Sequence, residues 1–388
     1  MSYTGVSHDA LIDLLATTQN KEKWNGQFEY LRSRHGYPML NRLFRGNMTD
    51  MIEGGKAVKW NIQHRESGNA QFTQPAAVRE RTILDTQIVA ELNWSYAFGS
   101  YTIIKDEMLE NFGDVQIVNL VKSRRLDGLV DLANKIEPRL WLAPTGAADV
   151  VHPKGVFYHL PPVTTAQVSA GTGPGAHQGT YTLSGVTGGT SYTDWCGISG
   201  ISSTVYPRLR SYNAAWTNDA AQIAEEDLRR MGRMHRRLRW ENPLTVGELE
   251  KVNAPKLFIG APESIIDAYS LATRRLNDDI AKGNDAAAGY GAGFGGEGEP
   301  VFKGVGLTWV EDLDGSTTGV VNGYQYPLFM LNLDYWKPAV FRDCNFVENK
   351  PMNHRDQPDV YVTDVDVKFQ LRVLNRQLCG GVISYPQA

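Results

Sequence analysis

Two stretches of the chain alternate between apolar and polar residues over unusual lengths. The first runs from Lys56 to His64 and the second from Gln87 to Phe98. A period of two residues predicts β-strands with one apolar face. The apolar positions are Val58, Trp60 and Ile62 in the first stretch and Ile88, Ala90, Leu92, Trp94, Tyr96 and Phe98 in the second.

A polar segment, Arg65 to Arg81, separates these stretches and contains Gly68 and Pro75. We therefore predict that residues 56–101 form a long two-stranded arm. Because a two-stranded ribbon alone is only marginally stable in water, the arm needs a surface to lie on, either its own domain or a neighbouring subunit. The arm residues predicted to contact a neighbouring subunit are Trp60, Ile62, Arg65, Arg79, Arg81, Trp94, Tyr96 and Phe98.

Helical spacing of apolar residues marks four other parts of the chain. The clearest helix is predicted from Asp114 to Glu137, with Asp114 as its cap and Pro138 just past its end. Residues 8–45 are predicted to be helical around a break at 36–38, either as a core helix pair or as an arm that packs on a neighbour. Two further helices are predicted over residues 219–239 and 262–280.

Loops and short strands account for the rest. Residues 162–205 are rich in Gly, Ser and Thr, which predicts short β segments and loops, and the glycine-rich residues 283–298 are predicted to form a flexible loop. Short strands are predicted over 256–259 and 305–310, and a long C-terminal strand over 364–373. This order indicates an α+β fold and not a regular alternation of strands and helices.

Composition narrows the class of protein. The chain has 388 residues and a net charge of -4, which is ordinary for a globular protein and unlike a polycationic nucleic-acid binder. Its three cysteines, Cys196, Cys344 and Cys379, are far apart, which favours folding in a reducing cytosol. Residues 1–15 lack the pattern of a signal peptide, and no window is apolar enough for a membrane span, so we expect a cytoplasmic site of synthesis.

Local motifs for catalysis are missing from the sequence. It contains no GxxxxGK[ST] loop, no HExxH motif, no GxSxG elbow and no EF-hand loop. Gly171, Gly173 and Gly175 have the spacing of a nucleotide loop, but Pro174 lies among them and no helix follows. These features favour a structural role without enzyme activity, cofactor or metal, although a catalytic triad built from distant positions would leave no local motif.

One cluster of charge stands out in the predicted helix at 219–239. Its arginines are Arg229, Arg230, Arg233, Arg236, Arg237 and Arg239. They could line packaged DNA, where each phosphate contact adds salt-dependent affinity. Alternatively they face solvent or an adjacent subunit, whose arginines could pair with Glu225, Glu226 and Asp227. Both interpretations stay open.

This order of elements resembles the major capsid proteins of tailed bacteriophages, which share the Johnson fold. In that family an N-terminal arm precedes an extended β-hairpin, the E-loop, and a long spine helix lies in a peripheral domain, with an axial domain at the capsomer centre. The resemblance implies an N-terminal arm (1–55), an E-loop (56–101), a peripheral domain with the spine helix (102–160), an axial domain (161–325, with 162–205 as a candidate insertion) and a return to the peripheral domain (326–388).

The resemblance also implies a function. Copies would assemble as pentamers and hexamers into the icosahedral head that encloses double-stranded DNA, and the head would be assembled in the cytoplasm of a host bacterium. The implied partners are further copies of the chain, a separately encoded scaffold protein, a portal, a decoration protein and DNA bound without sequence specificity, with no membrane. The alternatives are an encapsulin-like compartment shell, a glycan-binding virion protein and a hydrolase with a dispersed site.

Overall fold

The structure is a computed structural model. It describes residues 36–44, 48–70, 72, 74, 82–110, 114–144, 151–162, 180–182, 186–187, 190–191, 195–196, 198, 209, 211–217, 223–239, 256–279, 292–294, 300–314, 320–321, 324–354 and 357–386. The predicted helix before residue 36 therefore lies outside the described residues, as do Arg79, Arg81, much of the 162–205 segment and most of the glycine-rich loop.

Six α-helices occur within the described residues. They are α1 (Pro38–Phe44), α2 (Lys105–Glu110), α3 (Asp114–Trp141), α4 (Val156–His159), α5 (Glu225–Arg237) and α6 (Glu263–Asp279). The helices predicted over 114–137, 219–239 and 262–280 are thus confirmed, although α5 begins later than predicted. None of these helices is long and apolar enough to span a membrane.

The predicted end of α3 is wrong, because the helix continues through Pro138 to Trp141. Its last turn is held by burial, since Leu140 and Trp141 are both fully buried. The Trp141 indole also donates a hydrogen bond to the Glu137 carboxylate at 3.0 Å. These contacts offset the hydrogen bond that a proline removes from a helix interior.

Glu137 also joins α3 to α1. Its buried carboxylate accepts hydrogen bonds from the backbone N–H groups of Met39, at 3.0 Å, and Leu40, at 2.8 Å. Burial raises the pKa of the Glu137 carboxyl group, and these N–H donors oppose the rise. The start of α1 is therefore fixed by one carboxylate, which takes up backbone donors that have no partner inside the helix.

The strands confirm the alternating patterns. Trp94 divides the second stretch, so that one predicted strand becomes β3 and β4. The strands are β1 (Asp50–Ile52), β2 (Ala57–Gln63), β3 (Gln87–Asn93), β4 (Ser95–Ile104), β5 (Thr180–Thr182), β6 (Val186–Thr187), β7 (Thr190–Ser191), β8 (Ser211–Ala215), β9 (Leu257–Ala261), β10 (Ala292–Phe294), β11 (Pro300–Phe302), β12 (Val305–Trp309), β13 (Val320–Val321), β14 (Tyr324–Asn332), β15 (Trp336–Glu348), β16 (Met352–His354), β17 (Gln357–Val373) and β18 (Gly380–Pro386).

The chain forms two compact units, and the larger contains residues 36–98, 132–347 and 366–388. Among its described residues, nine strands form a mixed sheet in the order β10-β11-β12-β9-β14-β18-β8-β5, with β13 beside β14. The central strand β14 is antiparallel to both β9 and β18. The apolar run Leu328 to Leu331 in β14 is fully buried, as expected for a strand covered on both faces.

Helices α5 and α6 pack on this sheet. Their apolar stripes enter one buried cluster with side chains from several strands. The members from α5 are Leu228, Met231 and Met234, those from α6 are Ile265 and Tyr269, and those from the sheet include Ile259, Leu307, Leu328, Met330 and Ile383. This cluster is the main core of the larger unit.

A buried polar centre lies elsewhere in the larger unit, around Arg376. The Arg376 guanidinium is fully buried and donates hydrogen bonds to the carbonyl oxygens of His159, at 3.0 Å, and Leu209, at 3.1 Å. It also lies over the ring of Trp195, 5.1 Å from the ring centroid. One side chain therefore fastens three distant parts of the chain.

We expect the buried His159 ring to make the stability of the fold sensitive to acid. Burial, followed by the charge of Arg376, lowers the pKa of His159 to about 3 from 6.5. As the pH falls below 6.5, the unfolded chain binds a proton at this ring that the folded chain does not bind. We expect this group to reduce the free energy of unfolding by up to about 1.4 kcal/mol per pH unit. Urea titrations at falling pH should show a shallower decline in a His159→Phe variant, and parallel declines would contradict the assignment.

Gly155 is required by the close approach of the chain to the end of α3. A Cβ at this position would lie 2.6 Å and 2.7 Å from the carbonyl oxygens of Leu140 and Arg139, and still closer to that of Leu142. Because these atoms belong to the backbone, we expect Gly155→Ala to destabilise the protein by about 3 kcal/mol.

The matched control for this prediction is Gly36→Ala. No atom lies within 4 Å of a Cβ placed at Gly36, so that variant should keep the wild-type midpoint in urea. Equal urea midpoints for the two variants would contradict the prediction, because they would show that the backbone around Gly155 moves aside at little energetic cost.

The smaller unit contains residues 99–131 and 348–365 among its described parts. Within it, the Tyr101 side chain lies against α3 at Gly128, where a Cβ would stand 3.1 Å from the Tyr101 Cβ. Two arginines of α3 form ion pairs, Arg124 with Glu107 at 3.2 Å and Arg125 with Glu348 at 2.6 Å. Strand β16 pairs antiparallel with β17.

Candidate assembly surfaces

The predicted arm is a β-hairpin. Among the described residues, β2 and β3 pair only with each other, from Ala57 opposite Asn93 to Gln63 opposite Gln87. The pairing continues beyond the strands, because Asn69 and Thr82 exchange two hydrogen bonds of 2.8 Å and 2.9 Å. The hairpin therefore extends at least as far as Asn69 and Thr82.

The apolar face of the hairpin base is covered by the chain itself. Trp60 and Ile62 are both buried, and the Trp60 indole donates to the Val373 carbonyl oxygen at 3.1 Å. The Gln370 side chain donates to the Asn93 carbonyl oxygen at 2.8 Å. Burial within the chain removes Trp60 and Ile62 from the surface predicted to contact a neighbour. Their alternation reflected the packing of the hairpin base on β17.

The tip of the hairpin exposes apolar side chains. Phe72 and Ile83 are fully exposed, and Val89, on the outer face of β3, is 55% exposed. Arg65 is bonded to the opposite side of the hairpin, since its Nε donates to the Asp85 carbonyl oxygen at 2.6 Å. Sequence reasoning missed Phe72 and Ile83, because both lie in a segment whose overall composition is polar.

Strand β4 carries a second exposed surface, the aromatic pair Tyr96 and Phe98. Their rings stack with centroids 6.3 Å apart and are 55% and 65% exposed. The Tyr96 hydroxyl donates to the Asp366 carboxylate, which fixes its direction. Trp94, by contrast, is held by the chain, since it donates to the Gly55 carbonyl oxygen at 3.0 Å and packs edge-on against Phe341.

The arginines of α5 do not form a single surface. Arg230 is fully buried and donates to the Asp227 carboxylate at 3.1 Å and to the Thr217 hydroxyl at 3.2 Å. Asp227 also accepts from the Thr217 hydroxyl at 2.7 Å. The predicted surface role of Arg230 is therefore corrected, because its charge is paired in the interior of the larger unit.

The remaining arginines of α5 fall into two groups. Arg229 pairs with Glu225 at 2.7 Å and Arg233 with Glu226 at 3.8 Å. The carboxylates predicted to reach an adjacent subunit thus bind arginines of their own helix. Arg236 and Arg237, at the other end of the helix, and Arg239, two residues past that end, are all exposed. The Arg237 guanidinium lies 5.2 Å from the ring centroid of Tyr212.

Comparison with solved structures decides the fold. No family model matches the sequence, and no curated protein sequence matches it. The chain in the cyanophage A-1(L) capsid matches with a TM-score of 0.56 and 17% identity, over 95% of this chain and 98% of that chain. This chain has the capsid fold. The predicted Johnson fold is confirmed.

Two further structures share the capsid fold. The capsid of Myoviridae phage XM1 matches with a TM-score of 0.50 and 10% identity, over 95% of this chain and 97% of that chain. The SrpI encapsulin of Synechococcus elongatus PCC 7942 also matches with a TM-score of 0.50 and 10% identity, over 95% of this chain and 94% of that chain. The fold is thus shared with phage capsids and with an encapsulin.

The described part of this capsid fold contains no group of three or more His, Cys, Asp or Glu side chains that could hold a metal ion. The candidate surfaces for function are the hairpin tip, the exposed aromatic pair, and the exposed arginines at and just past the end of α5.

Proposed function

We propose that this chain is the major capsid protein of a tailed bacteriophage, a structural subunit without enzyme activity. Copies assemble as pentamers and hexamers into the icosahedral head that encloses double-stranded DNA. The observation that carries this proposal is the likeness to the cyanophage A-1(L) capsid chain, which covers nearly the whole length of both chains.

Within this proposal, the hairpin is an intersubunit arm. Its base is anchored on its own chain, whereas the side chains of Phe72 and Ile83 at the tip have no cover within the described residues. A neighbouring copy supplies that cover, and Arg65, Arg79, Arg81, Tyr96 and Phe98 also belong to this proposed contact. Head-to-tail contacts of this kind between identical subunits close into rings.

The domain limits and partners belong to the same proposal. The arm at 1–55, the E-loop at 56–101, the peripheral domain at 102–160 and 326–388, and the axial domain at 161–325 take the places that the Johnson fold gives them. A separate scaffold protein sets the curvature, a portal occupies one vertex, and a decoration protein binds the outer surface. The head is assembled in the host cytoplasm and becomes part of the virion.

Expression of the chain alone, and together with a scaffold candidate from the same gene cluster, tests this function. Electron microscopy should show closed particles built of rings. A chain that stays monomeric in both cases, with no such particles in lysates of its natural host, would rule the function out.

An encapsulin-like compartment shell is the second candidate, because the SrpI encapsulin shares the fold over 95% of this chain. The two functions differ in what the particle encloses. Particles purified from the natural host should contain double-stranded DNA in the first case and a cargo protein in the second. Genes for a terminase and a portal beside this one would also favour the phage capsid.

The hairpin tip leads us to expect shells without covalent cross-links between subunits. A lysine-asparagine isopeptide bond needs a lysine at the tip, and residues 64–85 contain none. Their arginines, Arg65, Arg79 and Arg81, stay protonated and are poor nucleophiles. At the hairpin base, Lys59 pairs with Glu91 at 3.0 Å. Boiled, denatured particles should therefore give one band at 43.1 kDa, and a ladder of larger bands would refute this expectation.

A further inference from the structure

A lysine occupies an unfavourable backbone position in the turn between β11 and β12. The turn has two residues, Lys303 with a φ of 48° and Gly304 with a φ of 81°. Tight turns with two left-handed residues favour Asn-Gly or Gly-Gly, because longer side chains rarely adopt positive φ. A lysine at the first position therefore points to a role for its ammonium group.

The Lys303 side chain lies against α5 where the helix has no side chain of its own. Its Nζ is 3.4 Å from the place that a Cβ at Gly232 would take. Arg236 stands four residues after Gly232 on the same face of α5, and Arg239 lies two residues past the end of that helix. Arg239 lies beside His235 of α5, and the charges of Arg236 and Arg239 both act on Lys303. We call Lys303, Arg236 and Arg239 the cationic row.

The cationic row is built on a buried aromatic base. Phe302 is fully buried, the Lys303 Nζ lies 5.7 Å from its ring centroid, and the His235 ring packs edge-on against it at 6.2 Å. The Arg239 guanidinium lies 3.3 Å from Nε2 of His235. These contacts position Lys303 and Arg239, whereas Arg236 is exposed beside them on α5.

Nothing in the described part of the chain neutralises the cationic row. None of its three members forms an ion pair there, unlike Arg229 and Arg233 on the same helix. Burial, followed by the charges of Arg236 and Arg239, lowers the pKa of Lys303. Burial and the same cations lower the pKa of His235 to about 4, so this ring is neutral near pH 7. An anion would relieve the mutual repulsion of the three charges.

We propose that Arg236, Arg239 and Lys303 bind a phosphate group. Two planar guanidinium groups and one ammonium group match an anion with several oxygens and more than one charge, and a single carboxylate matches them less well. The phosphate is either part of a DNA backbone or a free phosphate ion. Only the DNA source rests on the proposed function, because a free anion could bind the isolated subunit.

The test uses the full-length, unassembled subunit and two probes. Pyrophosphate is titrated by calorimetry at constant ionic strength, and a short DNA duplex is titrated by fluorescence anisotropy at several salt concentrations. The variants are Arg236→Gln, Arg239→Gln and Lys303→Gln. The matched control is Arg229→Gln, which removes the same charge from an exposed, paired arginine of the same helix.

We expect each variant of the cationic row to weaken pyrophosphate binding several-fold, while Arg229→Gln binds as the wild type does. If the phosphate belongs to DNA, each variant of the cationic row also reduces the slope of log K for DNA binding against log salt concentration by about 1 in magnitude. If a free anion is the source, only pyrophosphate binding changes. Either pattern supports a phosphate site.

Equal losses of affinity in the control and in the variants of the cationic row would overturn the proposal, because they would show that binding depends only on net charge. Unchanged binding of both probes would overturn it as well. Variants of the cationic row that bind both probes normally but no longer form particles would also overturn the proposal. They would show that the row pairs with carboxylates of a neighbouring copy and not with a phosphate. Because the titrations use unassembled subunits, failure of the chain to form shells does not affect their outcome.

Discussion

Arg376→Ala is expected to lower the free energy of unfolding by about 3–5 kcal/mol. The change empties the space of a large, fully buried side chain. It also leaves the carbonyl oxygens of His159 and Leu209 without the donors that reach them at 3.0 Å and 3.1 Å. Leaving buried carbonyl groups unpaired costs more than the hydrogen bonds contribute when they are made. Urea titration followed by tryptophan fluorescence measures the effect directly, because Trp195 lies beneath the guanidinium.

Two other variants separate the causes of this loss. Arg342→Ala removes an exposed arginine that pairs with Glu53, and exposed pairs contribute at most about 1 kcal/mol. Arg376→Lys keeps the charge but cannot donate in two fixed directions, so it should be nearly as unstable as the alanine variant. If Arg376→Lys matched the wild type, charge alone would be responsible and the role of the two carbonyl groups would be refuted.

The double variant Phe72→Ser and Ile83→Ser is expected to abolish shell formation without weakening the subunit. Both side chains are fully exposed in the single chain, so their loss should change its stability by no more than about 0.5 kcal/mol. Burying each on a neighbouring copy would contribute about 2 kcal/mol. Losing both would weaken each contact by roughly a thousandfold, and the loss would recur at every arm of the shell.

Sedimentation and electron microscopy, with unfolding curves on the same samples, measure this effect. Val151→Ser is the control, because Val151 is also well exposed and lies in the larger unit but outside the hairpin. Shells at the wild-type yield from the double variant would show that the tip makes no essential contact. A double variant that unfolds early would instead show that Phe72 and Ile83 pack within their own subunit.

The alternating pattern predicted the hairpin strands because one face of β2 and β3 is buried, with only Ile88 partly exposed on it. The same pattern could not show what covers that face. Trp60 packs on its own chain, whereas Tyr96 stays exposed, although both occupy apolar positions of one repeating pattern. Periodicity records that a face is apolar, and only the tertiary contacts decide which molecule covers it.

The surface role predicted for Arg230 was wrong for a similar reason. Arg230 belongs to a run of arginines that suggested a surface, but Asp227 stands three residues before it on the same helical face. That spacing was the available signal for an internal pair. No comparable signal marked Lys303, because its position beside Gly232 depends on a turn whose backbone the sequence did not reveal.

The anchoring of the hairpin base has a mechanical consequence. Trp60 and Asn93, on the two strands of the hairpin, are both hydrogen-bonded to the end of β17, at Val373 and Gln370. The base of the hairpin is thus fixed to β17, whereas the Phe72 and Ile83 side chains at its tip are exposed. A pull on the tip would act as a torque on β17 and reach the central sheet through β18, the next strand along the chain.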